Sequence, residues 1–136
     1  MRITTPITKK VELYSDFTKD LYLNPVSFDI TRKTNEEAIK ESIKNLIMTN
    51  KGERPFQPSL GCDIKRLLFE NFIPATIKIA EENIKETIRK YEPRAELLDV
   101  SVIGYPDENA VQINITFATI MAEDPITFSV MVDRIR

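Results

Sequence analysis

Two carboxylates, Asp63 and Glu70, lie seven residues apart on a segment that reads as one short helix beside an irregular loop, so they could share a side. A glycoside hydrolase needs such a pair: one carboxyl protonates the leaving oxygen, and the other acts as base or nucleophile about 5 to 9.5 Å away. This is the one acid/base chemistry left open by a chain with no histidine, which lacks the usual general base near neutral pH and the commonest metal ligand. Ser-His-Asp, Cys-His and zinc chemistries are excluded on composition. The single cysteine, Cys62, has no base to activate it and reads as a small packing residue. Among twenty-one acidic residues a carboxylate pair arises by chance, and no motif fixes a substrate. The expectation is a protein with no catalytic residue, no metal and no cofactor.

Other side chains suit binding. Arg54-Pro55-Phe56 combines a fork-shaped donor with an aromatic anchor inside a loop, Lys51 to Gly61, that holds two of the three glycines and two prolines. Apolar loop residues usually bury locally, so the expected role of Arg54, Pro55, Phe56 and Gly61 is structural, with Phe56 fastening the loop to its own core. Glu92-Pro93-Arg94 falls where a long helix must hand over to a strand, and a structural hinge accounts for it because proline disfavours helical geometry at Glu92.

The elements that must position these groups follow from periodicity. The first 25 residues, with Pro6, Asn24 and Pro25, read as an extended arm, and residues 26–136 as a single domain. Val26 to Ile30 suits a short strand. Thr34-Asn35-Glu36-Glu37 has capping-box spacing and predicts a helix starting at Thr34, with Ile39, Ile43, Leu46 and Ile47 on one face and a left-handed stop at Asn50 and Gly52. A short helix is expected over Asp63–Glu70 and a longer one over Pro74–Tyr91, where Ile77, Ala80, Ile84, Ile88 and Tyr91 follow 3.6-residue spacing. Its opposite face carries Glu81, Glu82, Lys85, Glu86 and Lys90, a charge run that solvation explains, with Glu86 placed to pair with Lys90 for a few tenths of a kcal/mol.

Beyond Glu92-Pro93-Arg94 the period falls to two. Leu98, Val100 and Val102 form one apolar stripe, then Val111, Ile113, Ile115 and Phe117 after the turn Pro106-Asp107-Glu108-Asn109, then Ile126, Phe128, Val130 and Val132 after Asp124-Pro125. The fold class is therefore α+β: two or three helices packed on a small antiparallel sheet that ends in a three-stranded meander. The last strand leaves an edge either covered or open to another chain, with Asp133, Arg134 and Arg136 as charged gatekeepers.

Composition bounds the rest. Nineteen basic against twenty-one acidic residues, interspersed without a basic block, argue against general nucleic-acid binding. Met1 to Val11 is polar and broken by Pro6, and no later run approaches the roughly 20 apolar residues of a membrane span, so a soluble protein made in a reducing cytosol is expected.

Asn50-Lys51-Gly52-Glu53-Arg54-Pro55-Phe56, continued by Gln57-Pro58, Gly61-Cys62-Asp63 and Leu68-Phe69-Glu70-Asn71, resembles the baseplate wedge and sheath-initiator family of contractile phage tails. Glu92-Pro93-Arg94 matches that family's signature tripeptide, with Tyr91 before it and Val100 and Val102 after it, and Leu13-Tyr14-Ser15-Asp16 is similar to the N-terminal segment in the T-even branch. The resemblance implies a structural virion subunit of the tail baseplate, assembled in the host cytoplasm in multiple copies around a sixfold tail. Its implied partners are other wedge proteins, the tail sheath protein and the tail tube, with no nucleic acid and no membrane. Carried onto this chain, Glu92, Pro93 and Arg94 would face the wedge core bundle, with Glu92 and Arg94 offering paired polar contacts. The strand Ile126, Thr127, Phe128, Ser129, Val130, Met131 and Val132 is our choice for the edge that templates the sheath. Family members have carried a lysozyme label, which keeps a cell-wall hydrolase as the alternative, beside an equivalent initiator of a type VI secretion or bacteriocin-like particle.

Overall fold

The computed structural model describes residues 12–120 and 124–134, so expectations on Met1–Val11 and Arg136 fall outside the described residues. The described chain forms β1 (Ser15–Phe17), β2 (Arg32–Thr34), α1 (Glu36–Met48), α2 (Ile64–Leu67), α3 (Pro74–Tyr91), β3 (Glu96–Tyr105), β4 (Ala110–Ala118) and β5 (Ile126–Asp133). β1 and β2 pair antiparallel as a small hairpin, and β3-β4-β5 form the antiparallel meander that the alternation predicts. The fold class is α+β as expected.

One face of the meander supplies half the core. Val111, Ile113, Ile115 and Phe117 of β4 have no exposed surface, and they meet Ile39, Ile43 and Ile47 of α1, Ile64 and Leu67 of α2, and Ala80, Ile84 and Ile88 of α3. Burying each such aliphatic side chain stabilises by about 1.5–3 kcal/mol, so the stripes legible in sequence are also the main adhesive. Phe117 meets Phe128 edge to face at 5.9 Å, which locks β5 onto β4. The opposite face is polar, with Tyr105, Gln112, Asn114 and Ser101 hydrogen-bonded in series.

Five local expectations are corrected. Helix α1 starts at Glu36, not Thr34: Thr34 pairs with Ser15, and the Asn35 side-chain oxygen accepts the Leu13 and Tyr14 amides, so the capping groups tie down the hairpin instead. At its other end the helix stops at Met48, because Thr49 turns extended and its carbonyl accepts the Cys62 amide at 3.1 Å; Gly52, at positive φ, belongs to the following loop. Val26 to Ile30 is not a strand. Asn24-Pro25 makes a turn in which the Asn24 side chain accepts the Val26 amide, leaving one bridge between Leu23 and Ile30. The short helix shrinks to Ile64–Leu67, since the Asp63 carboxylate accepts the Lys51 amide rather than capping it. Finally, the β3–β4 register shifts between Leu97 and Asp99, so Leu98 leaves the apolar stripe and is 51% exposed while Leu97 packs inward.

Candidate functional site

The loop Lys51–Gly61 is held at its base from three sides. Gly52 donates to the Pro58 carbonyl at 2.8 Å, Cys62 to Thr49 at 3.1 Å, and Lys51 to the Asp63 carboxylate at 2.8 Å. Glu53 accepts from both the amide and the side chain of Asn50, and the Asn50 amide holds its carboxyl below the ordinary range. Gly61 sits at φ +121, where a Cβ would lie 2.3 Å from the Thr49 carbonyl oxygen, so glycine is required for the close approach. Leu60 is the buried anchor, and Ser59 bonds the Tyr91 hydroxyl at 2.8 Å. Phe56 does not fasten the loop, contrary to expectation: it is 98% exposed at the tip, with Arg54 and Pro55 beside it.

Glu92 and Arg94 make an internal joint. Glu92 is 2% exposed, and its two oxygens accept Arg94 Nε at 2.5 Å and a terminal Arg94 nitrogen at 2.7 Å, with Ser42 Oγ of α1 as a further donor. Burial opposes the charge, but the bonds from Arg94 and Ser42 outweigh it and hold the Glu92 carboxyl below the usual range. Arg94 in turn is pushed up by Glu92 and stacks on the Tyr14 ring at 5.3 Å. The joint thus ties α3, α1 and the start of the hairpin together. This corrects the expectation that Glu92 offers itself to a partner: only Pro93 and part of Arg94 reach the surface.

The structure brings Asp63 and Glu70 onto one groove of about 270 Å³, also lined by Arg66, Thr76, Ile79 and Asn83. Asp63 is committed to the Lys51 amide, and Glu70 is exposed beside Arg66 at 3.4 Å, without the apolar pocket a glycosidase acid requires. Cys62 is buried, and burial pushes its thiol up, away from nucleophile chemistry. Among the described residues no carboxylate or cysteine cluster could hold a metal ion, and no helix is long and apolar enough to cross a membrane.

The edges of the meander differ. Arg134 donates to the Asn109 carbonyl at 3.1 Å, which fixes the alternation: Val132, Val130 and Phe128 turn their backbone groups toward β4. Thr127, Ser129, Met131 and Asp133 therefore point theirs outward, and among the described residues no strand lies beyond them. On the far side, Val102 of β3 turns its amide outward and donates it to Glu81 Oε1 of α3 at 2.9 Å. Sequence reasoning missed this role, since Glu81 reads as one of several solvated charges on α3. It missed equally Ser42 and Tyr14 as partners of the Glu92–Arg94 pair, because no local pattern joins residues so far apart in the chain.

The sequence profile of the baseplate wedge protein gp25 family matches residues 33–124. The chain belongs to the gp25 baseplate wedge family. It is 38% identical over 115 residues to baseplate wedge protein gp25 of Enterobacteria phage T4, covering 85% of this chain and 86% of that protein. Among solved structures, a Geobacter sulfurreducens protein provisionally named a tail lysozyme is 28% identical, with a TM-score of 0.65 over 74% of this chain and 92% of that one. The fold also recurs at 23% identity in the anti-feeding prophage baseplate, with a TM-score of 0.61 over 87% of this chain and 83% of that one. In the type VI secretion baseplate complex it recurs at 16% identity, with a TM-score of 0.58 over 72% and 93%. Membership in the gp25 family makes this chain a structural baseplate wedge subunit.

Proposed function

We propose that this subunit initiates the tail sheath by accepting an extended sheath segment on the free edge of β5. The observation that carries the reading is the row of outward backbone groups at Thr127, Ser129, Met131 and Asp133, on a strand held from behind by Ile126, Phe128, Val130 and Val132. Main-chain bonds supply the affinity of strand addition, and alternate side chains set its register. Copies repeated around the tube convert weak single contacts into a stable ring by raising effective concentration.

A second surface joins the subunit to the other wedge proteins and their core bundle. Pro93 and the exposed part of Arg94 supply it, with Glu92 as the internal group that aims the guanidinium, and Phe56 and Arg54 extend it as loop contacts. The β1–β2 hairpin and its connecting turn carry the exposed Phe17, Tyr22 and Phe28, which suit burial against a neighbour in the baseplate. Neighbouring surfaces take the tail tube, and assembly proceeds in the host cytoplasm. The role is non-enzymatic: the solvated Glu70 and the committed Asp63 support assembly over hydrolysis. Cell-wall clearing by the pure protein that Glu70→Gln abolishes would establish the hydrolase instead.

Met131→Pro tests the strand-addition reading, because the Met131 amide faces outward and its loss breaks no bond to β4. Electron microscopy of particles assembled with this variant should find baseplates carrying naked tubes. Normal sheaths would refute the reading.

A further inference from the structure

A sheet with two open edges is prone to endless assembly. The β5 edge of one copy can pair with the β3 edge of the next, a head-to-tail contact that generates an open filament rather than a closed ring. Among the described residues the two edges of this meander differ: β5 has no neighbour, whereas β3 carries a side-chain bond at its centre. On β3 the outward groups alternate at Val100, Val102 and Gly104, and the middle one is taken by Glu81 across a sequence separation of 21. Helix α3 lies against β3 from the other side of the Glu92-Pro93-Arg94 joint, and the Phe72 ring packs on Gly104, where a Cβ would come within 2.8 Å of it. The β3 edge is thus closed at its centre by a carboxylate aimed at a backbone donor, while Phe72 packs on the core face of the same strand.

We propose that Glu81 is the residue that makes strand addition one-sided: it closes the β3 edge, so that copies of this chain do not polymerise through β3 and β5. The proposal rests on the strand-addition reading only for β5, and its test reads self-association rather than sheath assembly, so either can fail without the other. Both oxygens of a carboxylate accept hydrogen bonds, and an incoming strand would have to displace one of them from Val102 and bury the charge. Glutamine keeps an acceptor oxygen at that place, whereas alanine and lysine do not.

The full chain is compared with Glu81→Gln, Glu81→Ala and Glu81→Lys by sedimentation velocity over a hundredfold concentration range, with amide exchange at Val102 read by NMR. Wild type and Glu81→Gln should keep the same size across the range and the same protection at Val102. Glu81→Ala should exchange at Val102 at least tenfold faster and give concentration-dependent oligomers, and adding Met131→Pro should return it to the size of wild type. Lysine keeps helix propensity, so it repeats the test if the alanine variant does not fold. Unchanged size in folded Glu81→Ala or Glu81→Lys, or oligomers that survive Met131→Pro, would overturn the proposal.

Discussion

Arg94→Gln should destabilise this protein more than Glu92→Gln, although the two residues form one ion pair. The reason is unequal burial: the Glu92 side chain is 2% exposed and that of Arg94 34%. Removing the Arg94 guanidinium strands a buried carboxylate with the Ser42 hydroxyl and the backbone amide of residue 94 as its donors and no countercharge, a loss of about 3–5 kcal/mol. Removing the Glu92 charge leaves a guanidinium that can turn to water and keep its contact with Tyr14, a loss of about 1.5–3 kcal/mol. For a chain of this length the first corresponds to a drop in Tm of roughly 10–20 °C. The pH dependence has a definite sign. Because the folded Glu92 carboxyl is held below its ordinary value, its stabilisation is complete above the unfolded value of about 4.3 and is lost as pH falls through the lower folded value. The gap between wild type and Arg94→Gln should therefore narrow as the pH falls from about 7 to about 4, first because a proton relieves the stranded charge in the variant and then because the wild-type carboxylate loses its own stabilisation. Urea unfolding of the two single variants and the double variant, at pH 7 and pH 4, measures all of this. Equal losses, the reverse order, or a coupling energy under about 0.5 kcal/mol would refute the buried-joint argument.

Gly61→Ala combines a left-handed φ with a clash against the Thr49 carbonyl and should cost about 3 kcal/mol in chemical denaturation. Phe56→Ala should change stability by less than about 0.5 kcal/mol, since the ring touches solvent, while weakening co-purification with wedge partners. Cys62 should resist a thiol reagent in the native protein and react fully in denaturant, a contrast that mass spectrometry reads directly.

Much of the fold was legible because its core stripes are long. Helix α3 begins and ends at the predicted residues, and the β4 stripe from Val111 to Phe117 is fully buried. Local cues failed where tertiary bonds outbid them: Asn35 gave its side chain to the hairpin, Thr49 gave its carbonyl to Cys62, and the bulge at Leu98 broke an alternation that sequence alone makes continuous. The candidate sites were legible as segments but not as directions. Glu92 and Phe56 both stand in segments that the sequence marks out, yet the residue read as outward is buried and the residue read as inward is exposed. Such directions depend on partners such as Ser42 and Tyr14 that only the folded chain brings near.

The claim that β5 is the sheath-facing edge is tested most directly by cryo-electron microscopy of the junction between baseplate and first sheath ring. The account predicts a sheath strand alongside β5, hydrogen-bonded to the backbone of Thr127, Ser129 and Met131, with Val102 still bonded to Glu81 on the opposite edge. A β5 edge facing solvent, or covered by a wedge protein while the sheath begins elsewhere, would contradict it.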